Sequence, residues 1–242
     1  MFARERMADA RAMLNVLTTI AMKGVLERLA APFARQAGCR LTMTFAPGGV
    51  ALERIRAGHM HDVVISGPSV LDALASQGYL VVGSKIELAH SRMGVAILAG
   101  APRPRVDTVE SFKCALKEAK SVTYTDPATG AASGVHLAKV LEGLGIAEDV
   151  RAKAKLGSGG PVAEFLVRGE ATLAVQQICE HMLVAGVDIV GPLPPALQTV
   201  STVAIALHTR TPVPDAGQTL IALLQSARGR ECLIECGLEP LN

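Results

Sequence analysis

The sequence predicts an α/β protein of two lobes, each built on a doubly wound mixed sheet. Short β-like apolar runs alternate with segments of helical spacing along most of the chain, which is the pattern of sheets covered by helices. This alternation stops after Gly78 and starts again near residue 108, so a second lobe begins between those points. Half of the 242 residues are hydrophobic, which is enough to bury a sizeable core.

The first lobe is predicted from three units, each made of a strand, a loop and a helix. Residues 62–66 (DVVIS) are continuously apolar, as expected of a parallel strand that is covered on both faces. The predicted strands are 13–18, 39–45 and 62–66, and the helices that follow them are 25–33, 50–57 and 70–75.

The second lobe is predicted between two β-rich passages of the chain. Residues 80–82, 85–89 and 93–98 read as strands with little helix between them, and residues 199–207 return the chain to the first lobe. Between these passages we predict helix 108–119, strand 121–125, helices 133–144 and 162–168, strands 171–176 and 188–190, and a stiff, proline-rich turn at 191–195. The last helices are predicted at 216–226 and 231–236. The predicted domains are residues 1–88 plus 198–242 and residues 89–197, with hinge strands near residues 88 and 198.

Charge and aromatic content exclude several classes of partner. The chain has 24 Lys and Arg against 22 Asp and Glu without any block of like charge, so we expect no nucleic acid partner and no membrane surface partner. Aromatic residues make up 3% and Trp is absent, which argues against sites that stack bases or sugars. The predicted partner is a small anionic ligand.

The N-terminal residues and the hydropathy of the chain predict its cellular location. Residues 1–12 (MFARERMADARA) lack the apolar run of a secretory signal, and no run approaches the ~20 apolar residues that span a bilayer. We expect a cytoplasmic protein; a periplasmic location, with a transporter permease as partner, would follow only from a misassigned start site and a missed export signal.

The five cysteines have no CxxC spacing and fit reduced thiols, and no metal-ligand spacing or nucleotide motif occurs, so no metal and no cofactor are predicted.

Three loops with the same construction form the predicted anion site. Each follows a strand, contains small or hydroxyl residues and leads into a helix, so that free backbone amides and the positive end of a helix dipole converge. The loops are 18–23 (TTIAMK), 46–49 (APGG) and 125–133 (TDPATGAAS), at the carboxyl ends of strands, where open α/β sheets bind ligands. Any one loop alone is explained as an ordinary helix start with caps and turn residues, and the threefold occurrence favours a site.

Arg92, Gln176 and Gln177 are the predicted side-chain contacts. The Arg92 guanidinium can form a two-pronged contact with a carboxylate, and a surface ion pair with Glu87 is the alternative. Gln176 and Gln177 follow an apolar strand, and their neighbouring amides can donate to a ligand from one loop. The predicted ligand-binding residues are Thr18, Thr19, Ala21, Gly48, Gly49, Ser66, Arg92, Thr129, Gly130, Ala131, Ser133, Gln176 and Gln177.

The order of these segments resembles the class II solute-binding fold of molybdate-binding proteins. The segments are VLTTIAMKGVLERLA, FAPGGVALERIRAG, DVVIS and YTDPATGAASGVHL, and the resemblance covers nearly the whole chain. It implies a ligand cleft between the lobes, wrapped by the loops named above. Where the molybdate binders have serines in the first two loops, this chain has Ala21 and Gly48-Gly49, and Gln177 replaces a tyrosine, which disfavours molybdate itself.

The segments DPATGAASGVHL, QQICE and VGPLPPALQ resemble more closely a branch of this fold that includes aconitate isomerase. The resemblance implies a cofactor-free enzyme that moves a double bond within a tricarboxylate. Such a reaction needs an acid–base group near an allylic carbon and donors that stabilise an enolate-like carboxylate. Arg92 and the amides of residues 129–133 are candidate donors. Lys23, His136 and Glu180 are candidate bases, each of which is also explained as an ordinary structural residue.

Three functions follow as hypotheses. The first is a binding module that traps a small carboxylate or oxyanion, in the manner of a molybdate-binding-protein-like solute-binding protein. The second is a cytosolic isomerase of a polycarboxylate, and a third is a ligand sensor whose closed form binds another protein.

Overall fold

A computed structural model describes residues 13–241, so the prediction made from residues 1–12 lies outside the described residues. The strands are β1 (Met13–Thr18), β2 (Arg40–Phe45), β3 (Val63–Ser66), β4 (Ile86–Leu98), β5 (Val122–Thr125), β6 (Ala154–Gly157), β7 (Leu173–Gln177), β8 (Val187–Pro192), β9 (Val200–Leu207) and β10 (Glu239–Pro240). The α-helices are α1 (Lys23–Ala37), α2 (Gly48–Arg56), α3 (Pro68–Ser76), α4 (Val109–Glu118), α5 (Ala132–Gly143), α6 (Ala147–Arg151), α7 (Glu164–Val167), α8 (Ile178–His181), α9 (Pro214–Gln225) and α10 (Ala227–Glu235). Short 3₁₀ turns precede α1 (Ile20–Met22) and α5 (Pro127–Thr129). No helix within residues 13–241 is both long and apolar enough to cross a bilayer.

The chain forms two compact units. Within the described residues, the first unit contains residues 13–89, 202–235 and 240–241, and the second contains residues 90–201 and 236–239. The chain leaves the first unit inside β4 and returns to it inside β9. Residues 236–239 belong to the second unit, whereas the sequence predicts them in the first lobe.

The first unit is a mixed sheet with helices packed on both faces. Its strand order is β2-β1-β3-β9, with β1 parallel to both neighbours and β9 antiparallel to β3. Val64 packs with Ile55 of α2 and Leu71 of α3 on one face. Side chains alternate along a strand, so Leu207 points to the opposite face, where α9 approaches closely enough that a Cβ on Gly217 would lie 2.4 Å from the Leu207 side chain.

Asp62 ties the start of β3 to two other parts of the first unit. Its Oδ2 accepts hydrogen bonds from the backbone N and the Nδ2 of Asn15, at 2.8 Å and 3.2 Å, and its Oδ1 accepts one from Thr211 Oγ1 at 2.8 Å. Asn15 lies in β1 and Thr211 lies in the turn after β9. A carboxylate that is only 4% exposed therefore joins distant segments of the chain through three charge-assisted bonds.

The second unit is also a mixed sheet covered on both faces. β5 is parallel to β6 and β7, and β7 is antiparallel to β4, which pairs along its other edge with β8. Val95 and Val175 face a core formed with α4, α5 and α6. Their neighbours Ala96 and Ala174 face a smaller core that contains Leu166 of α7. The two-residue period of the strands thus supplies both faces with apolar side chains.

The structure corrects several predicted elements. The strands predicted at 85–89 and 93–98 are one strand, β4, and residues 80–82 form no strand, because Leu80 makes only an isolated bridge to His208. The turn predicted at 191–195 begins inside β8, where Pro192 ends the strand and its missing amide does no harm. The helix predicted at 162–168 is the shorter α7, and α6, β6, α8 and β10 have no counterpart among the predicted elements.

We predict that Asp62→Ala lowers the free energy of unfolding by about 2–4 kcal/mol, because it leaves partly buried donors on Asn15 and Thr211 without an acceptor. Urea denaturation monitored by circular dichroism measures this change. Asp72→Ala is the matched control, since Asp72 is exposed and bonds only to Lys85, and it should cost less than about 1 kcal/mol. Equal losses in the two variants would show that Asp62 does not hold the unit together.

Candidate functional site

In the first unit, three strands end side by side at the predicted anion site. Thr18, the last residue of β1, is in register with Phe45 of β2 and with Ile65 of β3. The parallel pairing therefore brings the loops after β1, β2 and β3 to one edge of the sheet. Thr19 is the first residue after β1, and Ser66 is the last residue of β3.

The helices that start at this edge have no side-chain caps. Thr19, Pro47 and Gly67 occupy the N-cap positions of the 3₁₀ turn before α1, of α2 and of α3, and none of them accepts a hydrogen bond from the helix with its side chain. By contrast, Thr108 caps α4 and forms a complete capping box with Ser111. Uncapped amino ends leave amide donors and a partial positive charge available to an anion.

Two buried hydroxyl groups at the same edge have no hydrogen-bond partner among the described residues. They are Thr19 Oγ1 and Ser66 Oγ. Ser66 is close to the start of α2, since a Cβ on Gly48 would lie 3.4 Å from its Oγ. A buried polar group without a partner costs stability, and both hydroxyls remain free to bond to a ligand.

The other predicted residues of the first unit occupy the same loops with different environments. Thr18 is buried and its Oγ1 donates to the carbonyl of Thr19 at 3.2 Å, so its hydroxyl is already engaged. Ala21 is buried in the 3₁₀ turn. Gly49 has open space around it, whereas a side chain on Gly48 would approach Val70 Cγ2 at 3.0 Å. Gly48 thus keeps the start of α2 close to Ser66.

In the second unit, the loop before α5 is stabilised by its own side chains. Asp126 Oδ1 accepts from the Ala128 amide at 2.9 Å, and Thr129 Oγ1 donates to the Asp126 carbonyl at 2.7 Å. Thr129 Oγ1 also accepts from the Ala131 amide at 3.3 Å, and Gly130 adopts the left-handed conformation that a side chain disfavours. Ala131 is the N-cap of α5 and makes no side-chain cap, so the first amides of α5 remain available as donors.

Gln176 connects the two loops of this unit. Its Oε1 accepts from the Val162 amide at 2.8 Å, and its Nε2 donates to Thr125 Oγ1 and to the Gly160 carbonyl, both at 3.1 Å. Thr125 Oγ1 also accepts from Ser133 Oγ at 3.4 Å. Both amide hydrogens of Gln176 are therefore occupied, and the side chain positions the loops instead of presenting free donors. The glycine-rich loop at 157–160 has no nucleotide motif and is not one of the three predicted anion-binding loops.

Gln177 bonds to residues that flank both passages between the units. Its Oε1 accepts from Ser91 Oγ at 2.9 Å and its Nε2 donates to Ser201 Oγ at 3.3 Å, which leaves one amide hydrogen. Ser91 is the second residue of the second unit, and Ser201 is the last before the chain returns to the first. Like Gln176, Gln177 is a buried end residue of β7, not a loop residue.

Arg92 does not pair with Glu87, the alternative that the sequence offered. Its Nε donates to Glu239 Oε1 at 2.6 Å. The local sequence does not indicate this contact, because 147 residues separate Arg92 from Glu239. Arg92 also lines a groove of about 830 Å³ in the second unit, together with Arg103 and Arg105. None of the other predicted ligand-binding residues is among those that line this groove.

Of the three candidate bases, Glu180 has the least ordinary environment. His136 Nε2 donates to the Leu197 carbonyl at 2.8 Å, and Lys23 lies on the surface 4.0 Å from Glu27. Glu180 is 8% exposed on α8, its side chain makes no hydrogen bond with any described residue, and burial raises its pKa to about 8. No cluster of three or more potential metal ligands occurs within residues 13–241.

Gly134 fixes the distance between α5 and β5. A Cβ at this position would lie 2.4 Å from the carbonyl oxygen of Thr125, so only glycine lets the amino end of α5 approach the strand. The same contact keeps Ser133 within reach of Thr125.

We predict that Gly134→Ala lowers the free energy of unfolding by about 1–3 kcal/mol and displaces the start of α5. Gly143→Ala, on the same helix with open space around it, should instead raise stability by about 0.5 kcal/mol, because alanine favours a helix. Urea denaturation of both variants measures the difference. If Gly134→Ala left the free energy of unfolding unchanged, the loop would tolerate a wider gap between α5 and β5.

Comparison with known proteins places this geometry in a family. The family model for bacterial extracellular solute-binding proteins matches residues 14–239. The chain is 30% identical over 234 residues to aconitate isomerase from a Pseudomonas species, a match that covers 94% of this chain and 88% of that protein. The periplasmic molybdate-binding protein of Azotobacter vinelandii superposes with a TM-score of 0.76 at 19% identity, over 95% of this chain and 100% of that chain. The tungstate-binding protein TupA of Desulfovibrio alaskensis superposes with a TM-score of 0.63 at 13% identity, over 95% of this chain and 98% of that chain. These likenesses confirm the predicted fold, and the chain belongs to the family of bacterial extracellular solute-binding proteins.

Proposed function

We propose that this protein binds a small anion rich in oxygen, a carboxylate or an oxyanion, at the loops that follow its parallel strands. The observation that carries the proposal is the pair of buried, unpartnered hydroxyls, Thr19 Oγ1 and Ser66 Oγ, beside uncapped helix amino ends. Such an edge supplies neutral donors, which suit an anion that must be released again. The names of the molybdate-binding and tungstate-binding neighbours agree with an anionic ligand.

The ligand class is tested by thermal denaturation in the presence of molybdate, sulfate, citrate, cis-aconitate and trans-aconitate. A ligand at a hundred times its dissociation constant should add about 2.7 kcal/mol to the free energy of unfolding, which raises the melting temperature by several degrees. We expect a carboxylate to give the largest shift, because Ala21 and Gly48-Gly49 stand where the molybdate binders have serines. If none of the five anions shifts the melting temperature, the proposal of an anion site is wrong.

We predict that Ser66→Ala separates stability from binding. The substitution removes a buried hydroxyl that lacks a partner, so stability should stay constant or rise, while the affinity for the anion found above falls about tenfold or more with the lost donor. Calorimetric titration and urea denaturation of the same sample measure both quantities. Ser76→Ala is the control, because Ser76 is exposed and bonds only to the Ala73 carbonyl. Unchanged affinity in Ser66→Ala would remove this hydroxyl from the site.

A second candidate function is an isomerase of a polycarboxylate. It is favoured by the 30% identity with aconitate isomerase over nearly the whole chain. The site would then hold the substrate carboxylates while a proton is moved between carbon atoms. Proton NMR in deuterium oxide with cis-aconitate and trans-aconitate tests this function, and tight binding without double-bond migration would leave only the binding function.

The two candidate functions differ in location and partner. A solute-binding protein that serves a transporter has to be exported to meet its permease, whereas an isomerase of a cellular acid would work in the cytoplasm. Fractionation of cells that produce the full-length protein, with detection by antibody, distinguishes the two: the isomerase should remain with the cytoplasmic markers.

A further inference from the structure

The groove of about 830 Å³ in the second unit is not explained by the proposed anion site. All residues that line it belong to the second unit, and none of them lies in the three predicted anion-binding loops. Its charged residues are three arginines and two carboxylates, namely Arg92, Arg103, Arg105, Asp107 and Glu239. One positive charge in the groove therefore has no carboxylate to balance it.

That charge belongs to Arg103, which is held by the backbone and not by a carboxylate. Its Nη2 donates to the carbonyls of Ile189 at 2.6 Å and Val190 at 3.0 Å. Val190 is the extra residue of a bulge in β8, where the pairing with β4 shifts between Val95 and Ala96. Arg103 is exposed, and its Nε and Nη1 form no hydrogen bond with any described residue. The guanidinium is thus fixed in place with donors free for an acceptor from outside.

The other two arginines of the groove are only partly engaged. Arg92 donates to Glu239 through Nε, so its two Nη groups remain as a fork that can bind a carboxylate with two hydrogen bonds. The Arg105 side chain is 80% exposed, and its Nη2 donates to Asp107 Oδ2 at 3.1 Å. Exposed ion pairs contribute little stability, so an incoming carboxylate can join or replace these partners at low cost.

The floor of the groove is apolar and firmly held. Val106 and Leu193 are 6% and 2% exposed and belong to the main core of the second unit. Beside them, Gln198 Oε1 accepts from the Met93 amide at 3.0 Å and its Nε2 donates to the Met93 carbonyl at 2.9 Å. Four lining residues are prolines, which have no amide hydrogen to donate: Pro104, Pro192, Pro194 and Pro195. The arginine side chains are therefore the charged donors around an apolar floor.

We propose that this groove binds an extended, acidic segment of a partner protein. Carboxylates of the segment bind to Arg92 and Arg103, and an apolar side chain between them packs on Val106 and Leu193. An apolar centre surrounded by arginines is the composition of protein–protein interfaces, in which arginine contributes much of the binding energy. A small oxyanion suits the groove less well, because such an ion is held best by converging backbone amides, which the prolines do not supply.

The test measures the binding of a fluorescent peptide to the full chain by fluorescence anisotropy. The peptide has about eight residues, with glutamate and leucine in alternation, so that its extended form presents leucines on one face and carboxylates on the other. We expect Arg103→Gln and Arg92→Gln each to weaken its binding about tenfold or more. Arg151→Gln is the matched control and should bind as wild type does, because Arg151 is a half-exposed arginine of the same unit that does not line the groove.

Two further peptides separate the charge from the apolar contact. A peptide with lysine in place of glutamate should not bind, and one with serine in place of leucine should bind more weakly than the original. Circular dichroism shows whether each variant folds. Arg105→Gln replaces Arg103→Gln if the latter does not fold, since Arg105 is exposed and bonds only to Asp107, and it should weaken binding about threefold.

Three results overturn the proposal. They are the absence of saturable peptide binding, equal affinity in wild type and in the folded groove variants, and displacement of the peptide by citrate at constant ionic strength, which would make the groove a site for small anions. The anion site of the first unit is measured separately: Arg103→Gln should bind the anion found by thermal denaturation as wild type does. Failure of the groove therefore leaves the proposed function standing, and failure of the anion site leaves the peptide measurement unaffected.

Discussion

The parallel pairing of β1 with β2 and β3 is the constraint on which the first unit depends. Because parallel strands all end at one edge, the strand pairing alone brings together the loops that contain Thr19, Gly48 and Ser66. The pairing also requires that the chain return across the sheet after each strand, and α1 and α2 serve as those returns. Their amino ends therefore start at the same edge.

Each unit has polar side chains at its loops, and the two units use them differently. In the second unit, the side-chain amide of Gln176 forms hydrogen bonds with its oxygen and both of its hydrogens, and these bonds hold the loops around Thr125 and Gly160. In the first unit, the side-chain hydroxyls of Thr19 and Ser66 form no hydrogen bond with any described residue. Donors that are already positioned need little ordering when a ligand arrives, which lowers the entropic cost of binding.

Much of this architecture could be predicted from the sequence, and the exceptions have physical reasons. The strand and helix pattern located β1, β3 and β5 to within one residue, because these strands are short runs rich in apolar, β-branched and aromatic residues. β6 was missed because Ala154–Gly157 (AKLG) is partly exposed and carries a lysine. The Arg92 contact with Glu239 and the internal bonds of Gln176 depend on distant parts of the chain, which local patterns do not report.

The bond between Asp62 and Thr211 has a consequence for synthesis on the ribosome. β3 and its carboxylate are made early, but β9 and Thr211, which complete that edge of the sheet, follow only after residues 90–201. At translation rates of about 5–20 residues per second, the nascent first unit waits on the order of ten seconds with one edge of β3 unpaired. An unpaired apolar strand edge invites association with other chains, so nascent molecules of this protein should depend on chaperones during that interval.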